Sequence, residues 1–129
     1  DDFQIFDKWG NVWIDFTRNV GDIYKQLDVV VMPSLEYESF GRIIVESMAF
    51  SVPIIATKVG GMPELINHGK DGFLVEKNDD DALASQIIDL LKNPEMRKSV
   101  GAEGFNTYST KFTADIMSNN YCRLLHELK

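Results

Sequence analysis

The sequence is poor in cysteine and in long apolar runs, and each shortage excludes a class of protein. Its single cysteine, Cys122, cannot form an internal disulfide bond, so nothing in the sequence indicates an oxidising compartment. No apolar run approaches the roughly 20 residues that span a bilayer. The first residues, "DDFQIF", have none of the features of a signal peptide. We therefore expect a cytoplasmic protein.

Positive charge is also scarce. Thirteen lysine and arginine residues stand against 20 aspartate and glutamate residues, which gives a net charge of −7. This balance argues against a nucleic-acid partner or a general anionic-membrane surface, because both need clustered lysine and arginine. It leaves room for one small anion site. With 129 residues, of which 44% are hydrophobic, the chain is the size of a single globular domain.

Short apolar, β-branched runs alternate with helical patterns through the first 75 residues. We predict strands at 12–16, 28–33, 53–57 and 71–75, and helices at 20–27, about 40–50 and 62–66. The remainder, about 79–129, is predicted to be helical with one break at Asn93-Pro94. Strands that alternate with helices indicate an α/β fold, in which a parallel sheet is flanked by helices.

The loop after the second predicted strand carries most of the polar chemistry, in the stretch "ESFGRIIVE". Ligands of such sheets lie beyond the carboxyl ends of the strands. Ser39 is a good N-cap residue, and the start of the helix offers unpaired N–H groups to an anion such as a diphosphate. Gly41 would let a ligand approach the backbone closely. We therefore expect an anion site at this helix start.

Two acids flank that helix start. Glu38 precedes it, and Glu46 lies four residues after Arg42 on one helix face. Glu46 is therefore expected to point to the cleft that Glu38 borders. A carboxylate can accept two hydroxyl protons in parallel, which suits the vicinal diol of a ribose.

Each of these features also has a structural interpretation. The two acids could be a cap and a solvated helix position, and Arg42 could simply pair with Glu46. Gly60-Gly61 could be a plain turn or could line the pocket. The acidic run 79–81 contains the Asp-x-Asp spacing of some metal sites, but we interpret it as a helix start.

Two further interpretations concern single residues outside that loop. His68 and His126 stand alone, without the spacing of metal ligands, and are expected at the surface. Met48, Phe50 and Met62 are expected in the core.

Together, these motifs resemble the donor half of family-4 (group 1) retaining glycosyltransferases of the GT-B fold. The resemblance covers about residues 20–110 and includes "PIIAT" and "GG…E". It implies that Glu38 holds hydroxyls of the donor sugar and is the candidate catalytic residue of this half. It also implies that the N–H groups of Ser39, Phe40 and Gly41 meet the sugar and the diphosphate, and that Glu46 binds the ribose.

The resemblance implies transfer of a sugar from a nucleotide-diphosphate-sugar donor to an acceptor hydroxyl, with retention at the anomeric carbon. The acceptor would be a sugar, a polysaccharide or a lipid-linked acceptor. Gly41, Arg42, Glu46 and Arg18 are the candidate nucleotide-binding residues. No metal and no cofactor are expected, since N–H dipoles would neutralise the diphosphate. A nucleotide-sugar epimerase of the same fold and a non-catalytic nucleotide-binding module remain alternatives.

Several family features are absent or altered. Arg42 stands where the family has an aliphatic residue, and Ser51 and Thr17 stand where it often has glycine. The family's diphosphate-binding arginine and lysine, and its catalytic histidine, belong to regions before this sequence. We therefore expect 1–129 to be a single, partial donor-binding domain. It would be inactive without the N-terminal domain of the full-length enzyme, through which membrane association could arise.

Overall fold

The computed structural model describes residues 4–6, 12–14 and 17–127. Its strands are β1 (Gln4–Phe6), β2 (Val12–Ile14), β3 (Val30–Met32), β4 (Ile54–Thr57) and β5 (Phe73–Val75). Its helices are α1 (Val20–Tyr24), α2 (Arg42–Ala49), α3 (Met62–Leu65), α4 (Asp80–Lys92), α5 (Pro94–Lys111) and α6 (Ala114–Glu127). The sequence did not predict β1, and the ends of two predicted elements, 15–16 and 128–129, lie outside the described residues.

Strands β3, β4 and β5 form a parallel sheet in that order, with β4 in the centre. Val31 pairs with Ile55, and Ile55 pairs with Phe73. All four residues of β4 are buried, as expected for a parallel strand covered on both faces. Strands β1 and β2 form a separate antiparallel pair. The predicted α/β class, a parallel sheet with flanking helices, is confirmed.

The two faces of the sheet belong to two apolar clusters. Ile54 of β4 packs in one cluster with Ile44 and Met48 of α2. Ile55, the next residue, packs in the other cluster with Leu90 of α4. Successive residues of a strand point to opposite faces, so helices cover the sheet on both sides. This arrangement leaves the carboxyl ends of the strands as the place where loops can form a site.

Helix α2 begins later than the sequence indicated. Gly41, and not Ser39, occupies its N-cap position, and its carbonyl oxygen accepts the first helical bond from the N–H of Ile44 at 2.9 Å. A tight turn precedes it, in which the N–H of Arg42 donates to the carbonyl oxygen of Phe40 at 2.9 Å. This turn separates Ser39 from the helix by two residues, so the expectation that Ser39 caps α2 was wrong.

The break after α2 is strained. Ser51 has a φ of +58°, in the left-handed region that disfavours residues with a side chain. Its carbonyl oxygen faces Gly101 of α5, where any Cβ would collide with it. Helix α5 can therefore pack closely against the end of α2 only because Gly101 has no side chain.

A buried carboxylate ties the turn before β5 to α5. Asp71 is almost completely buried and accepts two hydrogen bonds from Asn67, at 2.7 Å from its main-chain N–H and at 2.6 Å from its side-chain amide. The hydroxyl of Thr107 on α5 donates a third at 2.8 Å. A buried carboxylate is tolerated when its oxygens are hydrogen-bonded. Asp71 therefore has a structural role, since it holds the turn at Asn67 against α5.

The helical part contains two breaks where the sequence predicted one. The predicted break lies at Asn93-Pro94, where Asn93 also caps α5, since its Oδ1 accepts from the N–H of Met96 at 3.0 Å. The second break follows α5, where the hydroxyl oxygen of Thr113 accepts from the N–H of Ile116 at 3.3 Å and starts α6. Threonine at a helix start is an ordinary cap that the apolar pattern does not reveal.

Candidate functional site

A cavity of about 280 Å³ opens at the carboxyl end of β3, beside the start of α2. It is lined by Met32, Glu38, Phe40, Arg42, Ile43 and Glu46. The structure thus brings the two predicted acids to one cavity, although eight positions separate them in the sequence. Two more predicted residues, Phe40 and Arg42, share its wall.

Three of the predicted site residues do not line this cavity. Ser39 is exposed in the loop, and Gly41 is buried against Met62 and Ile44. Arg18 is exposed in the segment before α1, and the described lining of the cavity does not include it. The side chain of Ser39 and the guanidinium of Arg18 could therefore take part only in a larger site than this cavity.

The loop that carries Glu38 rests on the turn at Gly60-Gly61. The N–H of Gly61 donates to the carbonyl oxygen of Glu38 at 3.0 Å. Gly60 has a φ of +51°, and a Cβ there would collide with that same carbonyl oxygen. A Cβ on Gly61 would lie 2.6 Å from the carbonyl oxygen of Ser39. Both glycines are therefore needed because the two loops touch through their backbones.

A second cavity, of about 500 Å³, borders the same turn. It is lined by Leu35, Glu36, Tyr37, Lys58, Val59, Gly60, Glu76 and Lys77. The ammonium of Lys58 and the carboxylate of Glu76 form an exposed ion pair at 2.8 Å across β4 and β5. The Gly60 turn thus does line a pocket, but a different one from the cavity that holds the two acids.

Both carboxylate oxygens of Glu46 have protein partners. Oε1 accepts from the Nη2 of Arg42 at 3.2 Å, so the ion pair that the sequence suggested is present. Oε2 accepts from the hydroxyl of Tyr24 at 3.1 Å. The Arg42 side chain is 84% exposed, so this ion pair contributes little to stability. The Glu46 side chain keeps an exposed fraction of 31%.

Sequence reasoning missed Tyr24. Its ring is 8% exposed and stacks on the ring of Phe50, with centroids 5.3 Å apart and planes 3° apart. Burial and the neighbouring Glu46 carboxylate, which also accepts its hydrogen bond, raise the pKa of Tyr24 to about 12. The phenol is therefore protonated at neutral pH and donates to Glu46. No sequence signal links these residues, because they lie on different helices.

Phe50 is less buried than expected for a core residue. It keeps 38% of its surface exposed, because its ring stacks on Tyr24 and lies beside Gly21. Met48 and Met62 are fully buried, as expected.

Gly41 has a reason inside the protein in addition to any ligand. A Cβ at this position would lie 2.9 Å from the sulfur of Met62 and 2.9 Å from the Cδ1 of Ile44. The glycine therefore lets α3 pack directly under the start of α2.

The described part of the chain contains no group of three or more His, Cys, Asp or Glu side chains placed to hold a metal ion. Asp79 caps α4, because its Oδ1 accepts from the N–H of Ala82 at 2.9 Å. Asp80 and Asp81 lie exposed in the first turn. The acidic run is thus a helix start, as interpreted.

Neither histidine belongs to a cluster of potential metal ligands among the described residues. His68 is exposed, and its Nδ1 accepts from the N–H of Leu74 at 3.0 Å. His126 is exposed on α6. Both surface assignments are confirmed, and no helix within 17–127 has the length and apolar character to cross a bilayer.

A parallel sheet covered by helices on both faces, with an acid-lined cavity at a strand's carboxyl end, defines a Rossmann-like α/β domain. The family model described as Glycosyl transferases group 1 matches residues 12–107. The chain belongs to this family, and its fold is that of the GT-B donor half, as the sequence resemblance implied.

Individual relatives agree with this assignment. The chain is 34% identical over 110 residues to the N-acetyl-alpha-D-glucosaminyl L-malate synthase of Bacillus anthracis. This alignment covers 85% of this chain and 29% of that protein. It superposes on Alr3699/HepE of Anabaena in complex with UDP with a TM-score of 0.83 and 27% identity, covering 87% of this chain and 31% of that one. A structure of the same Anabaena protein with UDP-glucose gives a TM-score of 0.81, again at 27% identity and with coverage of 87% and 31%. The chain spans less than a third of the length of the curated relatives it matches.

Proposed function

We propose that this chain binds a nucleotide-diphosphate-sugar and is the donor half of a retaining glycosyltransferase. The observation that carries the proposal is that Glu38 and Glu46 line one cavity at the carboxyl end of β3. Structures of Alr3699/HepE with UDP and with UDP-glucose support a donor of this chemical class. Two acids on one wall can each accept hydroxyl protons, one from the ribose and one from the sugar.

Each site residue then has a distinct role. Glu46 accepts the hydroxyls of the ribose, and Glu38 accepts hydroxyls of the sugar that is transferred. The N–H groups at Ser39, Phe40 and Gly41 face the diphosphate, where their dipoles and the start of α2 stabilise negative charge.

Two arginines would add positive charge to the nucleotide site. Arg42 lies on the cavity wall and could contact a phosphate while staying close to Glu46. Arg18, in the segment before α1, would reach the nucleotide only outside this cavity.

In the proposed reaction, the bond between the anomeric carbon and the diphosphate oxygen breaks, and a bond from that carbon to the acceptor oxygen forms on the same face. The acceptor hydroxyl passes its proton to the departing nucleoside diphosphate, which leaves with the bonding electron pair. The contribution of this half is to hold the sugar in place through Glu38 and to stabilise the departing charge with fixed dipoles. We propose that no metal takes part.

An N-terminal domain would supply the acceptor site, for a sugar, a polysaccharide or a lipid-linked acceptor. We accordingly propose that residues 1–129 alone transfer no sugar and bind nucleotide at about millimolar affinity or weaker, near −4 kcal/mol. A helix start contributes only about 0.3–1 kcal/mol to an exposed anion. The cytoplasmic location, with membrane association through the N-terminal domain as an option, stays a prediction from composition.

The test is a thermal-shift panel of nucleotide-sugars and nucleoside diphosphates on the full-length protein, followed by affinities for two variants. Glu46→Gln should weaken the bare nucleoside diphosphate and the nucleotide-sugar alike, by about 10- to 150-fold, the value of a hydrogen bond to a charged group. Glu38→Gln should weaken only the nucleotide-sugar. Glu95→Gln, an exposed acid at the start of α5, is the matched control and should change neither.

The outcomes separate the alternatives. Equal loss of both ligands with Glu38→Gln would assign that residue to the nucleotide or to the fold. Tight binding of a nucleotide-sugar without transfer to any acceptor would indicate a non-catalytic module. Interconversion of the donor sugar without an acceptor would indicate an epimerase. No binding by any member of the panel would overturn the proposal.

A further inference from the structure

The Glu46 carboxylate accepts hydrogen bonds from Tyr24 and Arg42 and can accept further ones. An ionised carboxylate has about four lone-pair positions, two on each oxygen. Tyr24 occupies one position on Oε2, and Arg42 occupies one on Oε1. Among partners within residues 17–127, one position on each oxygen remains, and these two can accept the two hydroxyls of a vicinal diol.

The two partners of Glu46 differ in how firmly they are held. The Arg42 side chain is 84% exposed, so water competes for it and its position is weakly fixed. The Tyr24 ring is buried and stacks on Phe50 almost in parallel. Phe50 can lie there because Gly21 has no side chain, since a Cβ on Gly21 would come within 3.0 Å of the Phe50 ring. The phenol hydroxyl is therefore the partner that sets the orientation of the carboxylate.

We infer that Tyr24 is a positioning residue, which orients the Glu46 carboxylate for the ribose diol of the donor. The inference rests on the proposed function, because it assigns a role within the same site. Tyr24 itself does not line the cavity and need not touch the donor. Its effect should pass through Glu46 alone and should therefore depend on the presence of a diol in the ligand.

Burial supports this role across the working pH range. The pKa of Tyr24 is raised to about 12, so the hydroxyl keeps its proton well above neutral pH. The Tyr24 hydroxyl therefore stays a hydrogen-bond donor to Glu46 throughout the pH range in which an enzyme of this class would work.

The experiment uses the full-length protein and two probes, UDP and its 2′,3′-dideoxy analogue. Tyr24→Phe keeps the ring and its stack on Phe50 but removes the hydroxyl. We expect UDP affinity to fall by roughly threefold to tenfold, the range of one hydrogen bond, and dideoxy-UDP affinity to stay unchanged. A general loosening of the fold would weaken both probes and would not change the ratio between them.

Two further variants make the readout specific. Tyr108→Phe removes a hydroxyl from a partly buried tyrosine of α5 and should leave both affinities unchanged. In a Glu46→Gln background, Tyr24→Phe should have no further effect on UDP, because the residue it acts through no longer carries the charge.

The two proposals fail in different ways. If UDP, GDP and ADP all fail to bind the wild-type protein, the proposed function is overturned and the role of Tyr24 with it. If UDP binds, the ratio of UDP affinity to dideoxy-UDP affinity tests the role of Tyr24. If GDP or ADP binds in its place, the same ratio is measured with that nucleotide and its 2′,3′-dideoxy analogue. An unchanged ratio in Tyr24→Phe, or additive effects with Glu46→Gln, overturns the role of Tyr24 alone.

Discussion

The main-chain N–H of Gly61 donates a 3.0 Å hydrogen bond to the carbonyl oxygen of Glu38. This bond joins the loop after β4 to the loop after β3, so the first acid of the cavity is held in place through its backbone. The position of Glu38 therefore depends on two glycines more than 20 residues away.

The first prediction concerns this contact. Gly60→Ala should lower the free energy of unfolding by about 2–5 kcal/mol, because it adds a left-handed strain and a Cβ that collides with the Glu38 carbonyl. Gly69→Ala is the matched control, since Gly69 also has a positive φ, of +80°, but has open space around it. The control should lose only about 1–2 kcal/mol. Urea denaturation of both variants measures the difference, and equal losses would mean that the collision is relieved without cost.

A second prediction follows from the strained end of α2. Ser51→Gly should stabilise the protein by about 0.5–1 kcal/mol, because glycine adopts a φ of +58° without strain and part of that gain is offset by a more flexible unfolded chain. Ser99→Gly, an exposed position inside α5, should instead destabilise it by about 0.5 kcal/mol. Chemical denaturation checks both values. Destabilisation by Ser51→Gly would contradict the assignment of strain.

The third prediction uses the pKa of Tyr24, which the fold raises to about 12. Between about pH 10 and pH 12 the unfolded chain has lost the phenol proton and the folded protein still holds it. The stability from this group is therefore complete below pH 10 and is lost as the pH rises to 12. The loss should be about 2–3 kcal/mol for the wild type relative to Tyr24→Phe.

Denaturation at a series of pH values measures this difference directly. The two stability curves should run parallel from pH 7 to pH 9, and above pH 10 the wild-type curve should fall relative to that of Tyr24→Phe. Curves that stay parallel to pH 12 would show that the fold does not raise the pKa of Tyr24.

The fourth prediction concerns the acidic start of α4. Replacing Asp80 and Asp81 with asparagine should leave transfer by the full-length enzyme within about twofold, since we assign both to the helix start and not to the reaction. The stability cost should be a few tenths to about 1 kcal/mol, from weaker interaction with the helix dipole. EDTA should not abolish activity. Loss of activity that manganese restores would assign this run to a metal site.

Several elements of the fold were predictable because their signals are local. The β-branched runs at β3 and β4, the break at Asn93-Pro94 and the helix start at Asp79 all appear where the sequence indicated. The start of α2 was misplaced by two residues, since the turn at Phe40 competes with the cap that Ser39 would have provided.

Part of the candidate site was also predictable from the sequence. Residue types and spacing were enough to propose Glu38 and Glu46 as partners in one cleft, because a parallel strand followed by a helix brings such positions to one edge of the sheet. The spacing of Arg42 and Glu46 also predicted their ion pair, which is a contact within one helical turn.

The sequence by itself thus determined the α/β class, the family and the loop that carries the acids, because periodicity, turn residues and short motifs are properties of neighbouring residues. Tertiary structure alone decided that Tyr24 donates to Glu46 and that the N–H of Gly61 donates to Glu38. It also decided that Asp71 is buried between a turn and α5. Each of these contacts joins residues from different elements, and only the packing of helices and loops around the sheet fixes which of them meet.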